Sequence, residues 1–195
     1  MNVTTRKRIE DIFSSHTTAI NQLNQQTEPI VSALQLMLTA VENGKKILWC
    51  GNGGSAADAQ HMAAELMGGL RDHDRPAIPS IALTTDSSFI TAWSNDVHYD
   101  VIFSRQVEGL GEDGDVLVAI STSGNSENII HAIQTAKKLG LSVVVLTGKD
   151  GGKMKSLGDV TIRIPSNDTQ RIQEGHLLVE HILCELIESH FSSTV

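Results

Sequence analysis

Between Lys45 and Leu66 the chain reads KKILWCGNGGSAADAQHMAAEL, and few folds accommodate that order of residues. Ile47, Leu48, Trp49 and Cys50 form a short apolar run that predicts a buried strand. Gly51, Gly53 and Gly54 then predict a tight turn, and Ser55 is the expected N-cap of a following helix. A strand that ends in glycines and restarts as a helix leaves N–H groups and the positive end of the helix dipole facing outward. Such a turn binds a phosphate or a sugar oxygen without a basic side chain. On the same helix His61 and Glu65 lie four residues apart and project from one face, a pair able to bind a metal or move protons. A solvated His–Glu pair at this spacing is also common.

The remaining chain repeats the alternation. Residues 5–26 have a helical pattern, and a second helix begins near Pro29 and stops at Asn43-Gly44. These two helices, within residues 1–44, read as an N-terminal extension of a kind that often packs on a partner subunit. Strands are expected at Ser80–Leu83, Asp115–Ile120, Ser142–Leu146 and Val160–Ile164. Helices are expected ending near Asn95-Asp96, over Val101–Leu110, from Glu127 to Leu139 and over Arg171–Phe191. Five strands alternating with helices predict an α/β fold with a parallel sheet covered on both faces, in one domain over residues 1–195.

Composition excludes some functions. The net charge is −8 and no Lys/Arg cluster stands out, which disfavours nucleic acid and anionic membranes as partners. No apolar run approaches the roughly 20 residues that span a bilayer, and the polar start MNVTTRKRIEDIF lacks the apolar core of a signal peptide. Cys50 and Cys184 lie in apolar segments without CxxC spacing, as reduced thiols of a cytoplasmic protein would.

A second anion loop is STSGNS, Ser121–Ser126, at the end of the DVLVAI strand. Three hydroxyls (Ser121, Thr122, Ser123) leave the strand, Gly124 allows a sharp turn and Ser126 precedes the next helix as its expected cap. Ligands of open α/β sheets bind beyond the carboxyl ends of the strands. The run from Gly51 to Ala56 also meets the loose G-x-G-x-x-G/A dinucleotide pattern, but no acidic residue ends the second strand at the ribose-binding distance; Asp86 comes too late. In the terminal helix Gln173, Glu174, His176, Glu180 and His181 stand among apolar residues. Ile172, Leu178, Val179, Ile182, Leu183 and Leu186 read as its buried stripe, with His181 following that stripe. A core histidine satisfied by a structural partner is the alternative reading for His181.

Taken together, CGNGGS with HMAAEL, TTDSS, NDxxYxxIFSRQVE, GDVLxAISTSGNS, LTGKDGGKM and the terminal RIQExH…H resemble the phosphoheptose isomerases of the sugar isomerase (SIS) domain family, in matching order from about residue 40 to 190. The resemblance implies a flavodoxin-like three-layer αβα sandwich, a cytoplasmic homotetramer with active sites at subunit interfaces, and one zinc ion per subunit. The implied reaction interconverts sedoheptulose 7-phosphate and D-glycero-D-manno-heptose 7-phosphate, the first step toward the heptoses of the lipopolysaccharide core. Carried over by position, His61, Glu65, Gln173 and His181 match the zinc ligands. Asn52, Gly53, Gly54, Ser55, Glu65, Asn95, Asp96, Ser121, Thr122, Ser123, Ser126 and Gln173 match substrate contacts. The chain has Gly69 where some members carry arginine, with Arg71 as a candidate substitute, and Gln170 where some carry an acid.

Ketose–aldose isomerisation needs a base at C1, an acid at the sugar oxygens and a grip on the remote phosphate. Glu65 is the expected base and His181 the expected acid; a zinc ion polarising the carbonyl is the alternative scheme. Gln173 and His181 are eight residues apart, roughly 12 Å along a helix, whereas zinc ligands lie at about 2 Å. The two are therefore expected to reach a given site from different chains. A related non-catalytic SIS adaptor that binds the DNA replication initiator is the competing reading, and a sugar-phosphate sensor a third. The adaptor replaces the helix acid and the last histidine and alters both loops, whereas this chain keeps Glu65, His181, GNGGS and STSGNS.

Overall fold

A computed structural model describes residues 3–192. Two helices, α1 (Val3–Leu23) and α2 (Thr27–Glu42), precede five strands: β1 (Ile47–Gly51), β2 (Ser80–Ala82), β3 (Val116–Ser121), β4 (Ser142–Gly148) and β5 (Val160–Ile164). Between and after them lie α3 (Gly54–Gly68), α4 (Ser87–Asp96), α5 (Ile102–Leu110), α6 (Glu127–Lys138) and α7 (Thr169–Phe191). All strand pairs are parallel and the order is β2-β1-β3-β4-β5. That is the flavodoxin-like order, in which the chain reverses direction across the sheet between β1 and β3.

The strands are apolar on both faces because helices cover both. Ile47, Trp49, Val116, Val118, Ile120, Val144 and Leu146 point toward α2, α3 and α7. Leu48, Cys50, Leu117, Ala119, Val143 and Val145 point toward α5 and α6. The result is the three-layer αβα sandwich. The N-terminal helices are not set apart from it: α2 buries Ile30, Ala33, Met37 and Ala40 in the first of these cores. Helix α1 lies on α7, where Arg171 Nη1 donates to the Ile12 carbonyl at 3.2 Å and His16 Nδ1 meets Glu174 Oε2 at 2.6 Å. Its Ile9, Ile12 and Phe13 remain exposed.

Two local expectations need correction. The N-cap of α3 is Gly53, with φ 57°, and Ser55 is a buried residue of the first turn. The positive φ at that cap position favours glycine, and the turn before it is tight: a Cβ on Gly51 would collide with the Ser55 carbonyl. Ser126 does precede α6, but its side chain makes no capping bond and instead faces Ser121 Oγ at 3.0 Å.

The buried stripe of α7 is also rotated from expectation. Leu178 and Leu186 are 39% and 45% exposed, while Arg171, Gly175, His176, Glu180 and Glu188 are buried beside Ile172, Val179 and Leu183. His181 is half-buried. Gly175 makes this rotation possible, because a Cβ there would collide with Ile164 of β5.

Burial pushes the His176 pKa down to about 4, against a smaller opposing effect of the Thr147 backbone, and neither ring nitrogen has a hydrogen-bond partner. The imidazole therefore stays neutral in the folded protein while the unfolded chain takes up a proton below pH 6.5. Stability carried by the neutral ring is complete above pH 6.5 and falls toward pH 4. Denaturant unfolding of His176→Leu against wild type should show the variant gaining stability at pH 5 relative to pH 7.5; parallel curves refute this. Gly51→Ala should lower unfolding free energy by about 1–3 kcal/mol through overpacking of the β1–α3 turn, measured the same way.

Candidate active site

The loops after β1 and β3 leave neighbouring central strands and diverge to opposite faces of the sheet, which opens a crevice at their carboxyl ends. Asn52–Ser55 forms one lip, and its α3 N-terminus supplies N–H donors. Ser121–Ser126 forms the other. Ser121 is buried, Thr122 half-buried and Ser123 exposed. Gly124, with φ 65°, is needed because any Cβ there would strike the Gly151 carbonyl. The loop is braced from behind: Met154 N donates to Gly124 O at 3.0 Å, and Lys153 N donates to Asn125 Oδ1 at 3.1 Å. Lys153 Nζ pairs with Glu127.

A side-chain bridge joins the two lips. Asn52 Nδ2 donates to Asn128 Oδ1 at 2.9 Å, Asn128 Nδ2 donates back to Asn52 Oδ1 at 2.8 Å, and Tyr99 Oη donates to the same Oδ1 at 2.8 Å. Asn128 is 2% exposed. The sequence reading missed both Asn128 and Tyr99. A polar residue beside Ile129 and Ile130 on the inner face of a helix was the available signal. Asn95 and Asp96 stand at the exposed end of α4 and bond to each other at 2.8 Å rather than to either loop.

Helices α3 and α7 run alongside one another in the same direction. Gln173 meets the start of α3, where a Cβ on Gly54 would collide with its amide. Cys184 Sγ approaches Met62 Sδ at 3.6 Å, and Glu188 accepts from Leu70 N just beyond the end of α3. Between these levels the His61 and His181 rings make an edge contact, with centroids 5.0 Å apart. His61 Nε2 meets Glu65 Oε1 at 2.9 Å. One chain thus gathers His61, Glu65 and His181, while Gln173 stands roughly 10 Å nearer the glycine loop by the helical rise between Gly54 and His61.

Two imidazoles and a carboxylate are donors that suit zinc. Among the described residues, however, no three His, Cys, Asp or Glu side chains of one chain close into a metal site. The donor types fit the ion. Two further acids lie close by: Glu180, which the sequence reading named without a role, and Asp58, which it did not single out. Glu180 is fully buried with both oxygens unpartnered; burial, and then the charge of Asp58, push its pKa up to about 8. Burial raises the Asp58 carboxyl also, partly offset by His61 and His181. Arg71 is exposed and pairs with Glu185 at 3.1 Å.

The SIS domain family matches residues 13–148. The phosphoheptose isomerase of Aliarcobacter butzleri is 49% identical over 94% of this chain and 97% of its own. That of Shewanella denitrificans is 53% identical over 93% and 94%. Among solved structures, the phosphoheptose isomerase of Neisseria gonorrhoeae superposes with a TM-score of 0.88 at 45% identity, covering 94% of this chain and 99% of that one. The Francisella tularensis phosphoheptose isomerase gives 0.92 at 37% identity, covering 97% and 100%. This chain belongs to the phosphoheptose isomerase family of SIS-domain proteins.

Proposed function

We propose that the protein is an aldose–ketose isomerase interconverting sedoheptulose 7-phosphate and D-glycero-D-manno-heptose 7-phosphate, the entry to lipopolysaccharide-core heptoses from a cytoplasmic sugar-phosphate pool. The observation that carries the reading is the meeting of His61, Glu65 and His181 on helices tied to the glycine loop. No observation favours the adaptor or the sensor.

The phosphate rests between the two loops, held by the α3 N-terminal amides and the hydroxyls of Ser121, Thr122, Ser123 and Ser126, with Asn52 set by its bridge to Asn128. Gripping the remote end of the substrate orients C1 and C2 toward the reacting groups. Glu65 takes a proton from C1, and the electron pair forms the C1–C2 double bond of an enediol. His181 gives a proton to the C2 oxygen and accepts one from the C1 hydroxyl, while Glu65 returns its proton to C2. His61, Glu65, His181 and a Gln173 would hold one zinc per subunit, which when bound supplies Lewis-acid polarisation of the sugar oxygens. A carboxylate engaged by a metal is a weaker base, so the two roles of Glu65 compete.

The separation of Gln173 from His181 along α7 supports sites built between chains. Exposed Ile9, Phe13, Leu178 and Leu186 supply apolar surface for a homotetramer. Asn95 and Asp96, exposed at the end of α4, are further contacts for the substrate.

Purified protein supplied with zinc and sedoheptulose 7-phosphate should form aldose. Glu65→Gln and His181→Gln should each reduce turnover by at least about 10²-fold; near-wild-type turnover in either removes that residue from its role. Mixing denatured Gln173→Ala and His181→Gln chains and refolding them should restore roughly a quarter of the sites if each site draws on two chains. No recovery means that one chain supplies both residues.

A further inference from the structure

The segment after α3 folds back around one carboxylate of α7. Glu188 accepts from the backbone N–H of Leu70 at 2.7 Å, Arg71 at 2.7 Å and Asp72 at 3.2 Å, and from Arg75 Nε at 3.0 Å. The side chains of Arg75 and Glu188 are 1% and 5% exposed. Arg75 spends its other donors on backbone: Nη1 on Pro76 O at 2.9 Å, and Nη2 on the carbonyl of Glu65 itself at 2.8 Å. The Glu65 carbonyl also accepts from Gly69 N at 2.9 Å, which closes the last turn of α3.

The same pair thus touches both helices of the site. On α7, Glu188 lies seven residues beyond His181, about 10 Å along the axis and on nearly the same face. On α3, the guanidinium holds the peptide of Glu65. We propose that Arg75 and Glu188 are positioning residues that fix the axial register of α7 against α3, and with it the placement of His181 relative to Glu65. The inference rests on the catalytic assignment above for its kinetic consequence and on the hydrogen bonds alone for its structural one.

The chemistry of the pair favours this role over a general surface contact. The exposed Arg71–Glu185 bridge joins the same loop to the same helix, but solvent screens it and two long side chains share it loosely. The Arg75–Glu188 pair is desolvated, and its carboxylate accepts from three backbone N–H groups and the Arg75 guanidinium. Burial works to raise the Glu188 pKa, and the backbone donors with Arg75 outweigh it, holding the group below the ordinary glutamate value. A lysine at position 75 would keep the charge but lose the fork that reaches Glu188, Pro76 and Glu65 at once.

The test uses full-length zinc-loaded protein as wild type, Glu188→Gln, Arg75→Lys and, as the exposed control, Glu185→Gln. Glu188→Gln should lower kcat by about 10-fold to 10²-fold with KM changed less than about threefold, since a displacement near 1 Å misaligns reacting groups without removing a substrate contact. Arg75→Lys should fall between it and wild type, and Glu185→Gln should stay within about twofold of wild type. The imidazole ¹⁵N resonances of His61 and His181 should move in Glu188→Gln and Arg75→Lys and remain fixed in Glu185→Gln. Unchanged resonances in a folded variant, a kcat near wild type, or a rise in KM matching the loss in kcat would overturn the proposal. Should wild type show no turnover, the catalytic assignment fails separately and the imidazole resonances still decide the register. Should Glu188→Gln fail to fold, Arg75→Lys carries the same readouts.

Discussion

Helix α7 sets His181 beside His61 because it lies along α3 in parallel, held at both ends. At the start, the Gln173 amide occupies the space left by the missing side chain of Gly54. At the far end, the Glu188 carboxylate is enclosed by the loop that leaves α3. Two helices packed by ridges and grooves alone have several offsets of similar energy. A desolvated carboxylate needs its donors in one place, so a buried ion pair selects one offset. The edge contact of His61 with His181 lies between these fixed ends.

The same seam accepts unfavourable groups. His176 and Glu180 are buried without partners, and Asp58 has an oxygen in the same condition. Each departs from the rule that buried polar atoms are hydrogen-bonded. All three lie on the two helices that carry the site, and the apolar cores on either side of the sheet hold them in place. Concentrating the cost near the candidate site is the pattern expected where function, rather than stability, has set the residue types.

Binding an anionic substrate on a chain of net charge −8 calls for local donors, because the overall field opposes it. The fold supplies them where the strand order reverses, with one helix start and one hydroxyl loop facing across β1 and β3. The Asn52–Asn128 amide pair joins the lips, so the two donor sets keep their spacing.

Read alone, the sequence determined the order of elements, the parallel sheet with covered faces, and the placement of the glycine-rich and serine-rich loops at strand ends. Apolar runs, glycine turns and four-residue spacings act within a few residues of one another, so they are written locally. Cap identity was less legible: Ser55 had the right residue type, but the positive φ of Gly53 and the crowding at Gly51 moved the cap. Only the tertiary structure decided which face of α7 is buried. It turned Leu178 and Leu186 outward and His176, Glu180 and Glu188 inward, set His181 beside His61, and brought Arg75 to the Glu65 carbonyl. Those outcomes depend on the rotation and offset of one helix against another whose contacts, as for Leu70 and Glu188, are 118 residues away in the chain. No local pattern carries that information, since a helix presents the same spacings whichever face its neighbours cover.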